Sequence, residues 1–173
     1  MTDAPKPTPT ERPATERPAA ERPATAKDTL DRMDQVWRRF RAAVESFPGE
    51  YLDYRLGEGG WTRKQMLAHI SVWHDLTSQR LNAFVQTGQP VPLAEHEDVI
   101  NARAARAAEG RTAGEIVQGM DDSYRRLHRL IGRLSNAHFE THDGWVAAVI
   151  AGNTYDHYRE HRADLEVKVA PPR

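Results

Sequence analysis

The chain has 173 residues, 39% of them hydrophobic, which is enough for one domain with a substantial core. Its formal net charge of -1 supplies no general attraction to nucleic acid or to an anionic membrane, and neither is expected as a partner. With no cysteine, the chain forms no disulfide, thiolate metal site or cysteine nucleophile, so any metal must be held by nitrogen and oxygen.

Residues 1–26 differ in kind from the rest. Six of the eleven prolines fall here, and TERPA at Thr10–Ala14 is repeated at Thr15–Ala19 and, as AERPA, at Ala20–Ala24. A segment with no large apolar residue after Met1 cannot bury enough to fold, so a disordered, Pro-rich tail is expected. It contains no apolar signal core, and no apolar run elsewhere reaches membrane-spanning length, which points to a soluble, cytoplasmic protein.

The folded domain is expected over residues 27–169. Leu30, Met33, Trp37, Phe40, Val44 and Phe47 recur at steps of three and four, predicting a first helix that Pro48-Gly49 ends. Thr62 and Gln65 form a capping box, with Trp61 placed to staple onto Met66, and the second helix should run from there to about Gln86 before Gly88. A short helix is expected near Glu97–Ala108. Thr112 and Glu115 open a third long helix with the stripe Ile116, Met120, Tyr124, Leu127, Ile131 and Leu134. After Asp143-Gly144, a fourth carries Val146, Ile150, Thr154, His157, His161 and Leu165 on one face. No stretch alternates as a strand would. The fold class is therefore all-α, a four-helix bundle with a long crossover between the second and third helices, which lets those two run parallel.

His157 and His161, in HYREH, stand one turn apart on that apolar stripe, a spacing from which both can reach one metal ion. His69 shares the core face of the second helix with Met66, Ile70 and Trp73, so three imidazoles can converge. Such a set matches an open, catalytic-type zinc site and also tolerates nickel, iron or manganese. Hydrogen-bonded core histidines are the competing reading, because eight histidines in one chain produce such pairs by chance, and His138 with His142 is a second pair in a connector. His74 is expected to face away from His69, into solvent. Asn153 and Thr154, one turn before His157, are candidates to bind a ligand near the metal, and Trp73 can wall the pocket or pack in the core. Asp156 and Glu160 are either acceptors for imidazole N–H groups or members of surface charge pairs.

The blocks GWTRKQMLAHISVWHDL, Gly60–Leu76, and NTYDHYREHRADLE, Asn153–Glu166, resemble the helix-two and helix-four signatures of the DinB/YfiT-like metalloenzyme superfamily. The resemblance implies a four-helix bundle, often a homodimer, with a three-histidine metal site whose ligands match His69, His157 and His161. EDVINARAARAAEGRTAGEIVQGMDDSYRRL, Glu97–Leu127, is similar to the ClbS/DfsB branch, associated with protection from a reactive genotoxic metabolite, and on that similarity Asn101 lines the site entrance. The functions implied are a metal-dependent enzyme that acts on a small reactive molecule by hydrolysis or thiol transfer or, alternatively, a non-catalytic binding or self-protection protein. Zinc or nickel is the expected metal, with iron or manganese tolerated. Family members differ widely in activity, and the fold does not choose among them.

Overall fold

The computed structural model describes residues 25–56 and 60–166, so the expected tail lies almost wholly outside the described residues. Thr25, the first described residue, is an N-cap that accepts from the amide of Asp28, and α1 covers Ala26–Glu45. A 3-10 turn, Gly49–Asp53, leads towards α2, Arg63–Thr87. The Thr62–Gln65 box opens α2 through reciprocal bonds of 3.1 and 2.9 Å, and Gly88, at φ 68°, closes it in the left-handed region. The crossover holds α3, Glu97–Ala107, capped by His96, whose Nδ1 accepts from the amide of Asp98. The Thr112–Glu115 box starts α4, Ala113–Ile131. It stops short of Leu134, which is buried from the turn beyond. Next come α5, Asn136–Glu140, a 3-10 turn at His142–Gly144, α6, Trp145–Asn153, and α7, Tyr155–Glu166. Among the described residues, no helix is long and apolar enough to cross a membrane.

Side-chain register gives the helix directions. Asp34 meets His128 and Arg41 meets Asp121, so α1 and α4 are antiparallel. Arg32 covers Tyr155 and Phe40 stacks on Tyr158, so α1 and α7 are parallel. His74 meets Ser123 and Asp75 meets Arg126, so α2 and α4 advance in the same direction and are parallel. Arg63 reaches the Leu165 carbonyl, His69 faces His161 and His74 bonds Tyr158, so α7 runs back along α2. The crossover topology expected from the long α2–α4 connection is the one formed.

The fourth long helix is not continuous, contrary to the single stripe read from Val146 to Leu165. It breaks at Thr154, at φ -132° and ψ -100°, into α6 and α7. The Thr154 hydroxyl donates to the Ile150 carbonyl, the acceptor its own amide would use, and the amide bonds Ala151 instead. The inward face survives the break, since Val146, Ile150, Thr154, His157 and Leu165 are all buried.

His74 is also corrected. It is fully buried, because the first half of α2 is covered on most of its circumference: Leu67, Ala68, His69, Ile70, Trp73, His74 and Thr77 are buried together, and the exposed side falls at Asp75 instead. Its polar atoms are satisfied in one direction. The Ser123 hydroxyl donates to the Met120 carbonyl and so accepts from His74 Nδ1 at 2.8 Å, while the Tyr158 hydroxyl donates to His74 Nε2 at 2.6 Å. Burial, aided by His157 and Arg126, pushes the His74 pKa down to about 3, so the ring is neutral in this chain of bonds. Around it Trp37 stacks on Tyr124 at 4.1 Å and tilts against Tyr158.

Replacing His74 by Phe strands the Tyr158 hydroxyl and should cost about 1–3 kcal/mol at pH 7, read by urea unfolding. The unfolded ring titrates at 6.5 and the folded ring near 3, so the unfolded state binds the extra proton between them. Wild-type stability from this group is therefore lost as pH falls below 6.5, and the gap to His74→Phe should narrow by about 1.4 kcal/mol per pH unit. Gly88→Ala meets no atom within 4 Å, so its cost is that of the left-handed backbone alone, about 1 kcal/mol, with Gly88→Asn costing less.

Candidate metal centre

The capping box fixes where α2 starts, and His69 follows two turns later on the side facing α7. His157 stands just after the start of α7, and His161 one turn further on. His157 Nε2 lies 2.8 Å from His69 Nε2 and 2.9 Å from His161 Nε2, and the three ligand atoms fall within 4.8 Å of one another. His69 and His157 are buried, whereas 12% of the His161 side chain is exposed, so the cluster meets solvent along the His161 edge.

The protons in this cluster are constrained. Asp164 Oδ2 sits 2.9 Å from His161 Nδ1 and accepts its N–H, so Nε2, which faces His157, is the nitrogen that carries the lone pair whenever the ring is neutral. Burial first, and then the neighbouring His157 and His161, hold His69 well below the usual imidazole range, so this ring is neutral. Three Nε2 atoms turned towards one another can each offer a lone pair to a cation placed among them. Nitrogen donors about 2.0–2.1 Å from a tetrahedral ion stand about 3.3 Å apart, so the two close pairs need open only slightly. The donor set fits a divalent transition metal with an open position.

Aromatic rings enclose the cluster. Trp61 lies 4.9 Å from the His69 ring, centroid to centroid, and Trp73 sits edge-on to both His69 and His157. Trp73 Nε1 is 3.0 Å from Asn101 Oδ1 and 3.1 Å from His69 Nδ1. Of the four residues expected to bind substrate, the structure thus brings Trp73 and Asn101 against His69, both buried. Asn153 and Thr154 bond within their own helix, to the carbonyls of Val149 and Ile150. Asp156 pairs with Arg159. The second histidine pair serves the connector: His138 Nδ1 accepts from the Ser135 amide, and His142 Nε2 donates to the Gly88 carbonyl at 2.7 Å.

Sequence reasoning missed the contacts of two residues at this site. Asp164 was legible in principle, being three residues after His161 and hence on its face of the helix. Trp61 lies eight residues before His69, about two turns, and so can stack on it as well as staple the helix start.

No curated protein and no solved structure matches the chain. The DinB superfamily model, however, matches residues 32–161, a span that runs from the first turns of α1 to His161 and takes in all three histidines. The chain belongs to the DinB superfamily.

Proposed function

We propose that the protein is a metal-dependent enzyme acting on a small reactive molecule by hydrolysis or thiol transfer, with His69, His157 and His161 holding the ion. The observation that carries this reading is the convergence of three buried or partly buried Nε2 atoms, with burial holding the His69 pKa well below the usual imidazole range. Zinc or nickel suits the all-nitrogen set best, and iron or manganese is compatible with it. A bound ion of this kind acts as a Lewis acid and lowers the pKa of a coordinated water or thiol. The chain's own groups then bind and exclude. Trp61 and Trp73 shield the histidines from bulk water, Asp164 keeps His161 oriented, and the partly exposed His161 edge is the side from which a small molecule enters. With no cysteine in the chain, a thiol for transfer has to arrive as a co-substrate.

Ligand capture without turnover, as in the similar ClbS/DfsB branch, is the second reading. It is favoured by the burial of the cluster, which suits retention of a small molecule more than its rapid exchange.

Protein purified without a histidine tag should carry about one divalent ion per chain by mass spectrometry of the elements. His157→Ala should lose it while keeping the helical circular dichroism of the wild type. At a free metal concentration 100 times the dissociation constant, binding should stabilise the wild type by about 2.7 kcal/mol. A metal-free protein whose melting is indifferent to chelator, zinc and nickel would sink the reading. Asp164→Asn exchanges the carboxylate on His161 for a weaker acceptor and, because Asp164 is partly exposed, should weaken zinc binding by no more than about 10-fold without changing the fold. Turnover of activated electrophiles, measured with and without added thiol, separates the enzyme from the stoichiometric binder.

A further inference from the structure

Asn101 supplies no metal ligand, yet it is buried beside one, on a helix that otherwise only bridges α2 and α4. Indole Nε1 is a donor and never an acceptor, so the 3.0 Å contact with Trp73 fixes the Asn101 amide with its oxygen towards Trp73. The Asn101 side chain is also a hydrogen-bond partner of the His69 ring, and its Oδ1 and His69 Nδ1 both lie on the one indole N–H of Trp73. A carbonyl oxygen carries two lone pairs and can accept from both neighbours at once.

Trp73 Nε1 stands at nearly equal distances from Asn101 Oδ1 and His69 Nδ1, and this symmetry leaves two proton arrangements. If the indole donates to His69 Nδ1, the imidazole proton sits on Nε2, the atom that faces His157, and His69 cannot ligate through it. If the indole donates to Asn101 Oδ1, His69 Nδ1–H donates to the same oxygen and Nε2 turns its lone pair to the cluster. Only the second arrangement makes His69 a ligand.

We infer that Asn101 is a positioning residue for the metal centre, its amide oxygen drawing the indole and imidazole protons together so that His69 adopts the tautomer that binds metal through Nε2. This rests on the metal-site reading of His69, His157 and His161. It makes the crossover helix α3 part of the site, because the register of α3 on α2 sets the protonation of a ligand that α2 carries. His161 receives the equivalent restraint from Asp164, so two of the three histidines are held by an oxygen acceptor at Nδ1.

The test compares zinc affinity, by competition with a chromophoric chelator, in the wild type, Asn101→Leu and Asn101→Asp, with 15N chemical shifts of the His69 ring in each and urea unfolding of the metal-free proteins as a control. Asn101→Leu keeps the volume and removes the acceptor, and should bind zinc about 10–100-fold more weakly, with the His69 proton shifted to Nε2 in the metal-free protein. Asn101→Asp keeps an acceptor and should bind zinc as tightly as the wild type, although a buried carboxylate is the worse change for packing. A wild type that takes up neither zinc nor another divalent metal overturns this inference together with the metal reading. A wild type that binds zinc while Asn101→Leu binds equally well overturns this inference alone. Should Asn101→Leu fail to fold, the metal-free wild type decides: a His69 proton found on Nε2 overturns the assignment, and one found on Nδ1 supports it.

Discussion

The hydrogen bond from the Tyr158 hydroxyl to His74 Nε2 sets the register in which α2 and α7 meet. It lies in the interior, where an unpaired phenol or imidazole costs more than the bond itself is worth, so sliding one helix past the other by a turn would strand both groups. Because His157 immediately precedes Tyr158 and His69 stands just over one turn before His74, this register also brings His69 to His157 and His161. Beyond them, Arg63 at the start of α2 lies over Phe47 and reaches the Leu165 carbonyl, closing the seam at the end of α7. The polar core and the candidate metal centre are neighbouring stretches of one helix contact.

The two histidine environments are built oppositely. His74 has Ser123 and Tyr158 on its two ring nitrogens, so its hydrogen-bonding capacity is used up within the protein. His157 has Nε2 turned towards two other imidazole nitrogens, an arrangement that side-chain protons satisfy poorly and a cation satisfies well. Burial neutralises both His74 and His69, but only one of these rings is placed to give its lone pair away.

Much of this was legible in the sequence. Two capping boxes and Gly88 marked helix ends, and the stripes of α1 and α4 selected Met33, Trp37, Phe40, Met120 and Leu127 for the core. The inward direction of His69, His157 and His161 followed from the apolar residues at the same helical phase. What stayed hidden depends on contacts between elements. His74 lies off the α2 stripe, and nothing local says that α2 is surrounded by α3, α4 and α7, so that a polar residue there is buried. Asn101 could be singled out by resemblance, but its approach to Trp73 and His69 requires the docking of α3. The break at Thr154 was invisible because a Thr hydroxyl competes for a backbone carbonyl only in some settings, while the apolar phase runs on undisturbed.

That break separates two kinds of helix. In α6 every residue from Val146 to Ala151 is buried, so its folding is driven by the core around it. At twelve residues, α7 is too short to hold its helical form alone in water, and the interruption of the backbone ladder at Thr154 denies it much of the cooperativity of the segment before it. The one-turn spacing of His157 and His161 therefore exists only once α7 has docked against α1 and α2. HYREH is not a ready-made chelating peptide: any affinity it has for an ion is thermodynamically linked to the docking of this last helix, and whatever loosens α7 scatters its two histidines.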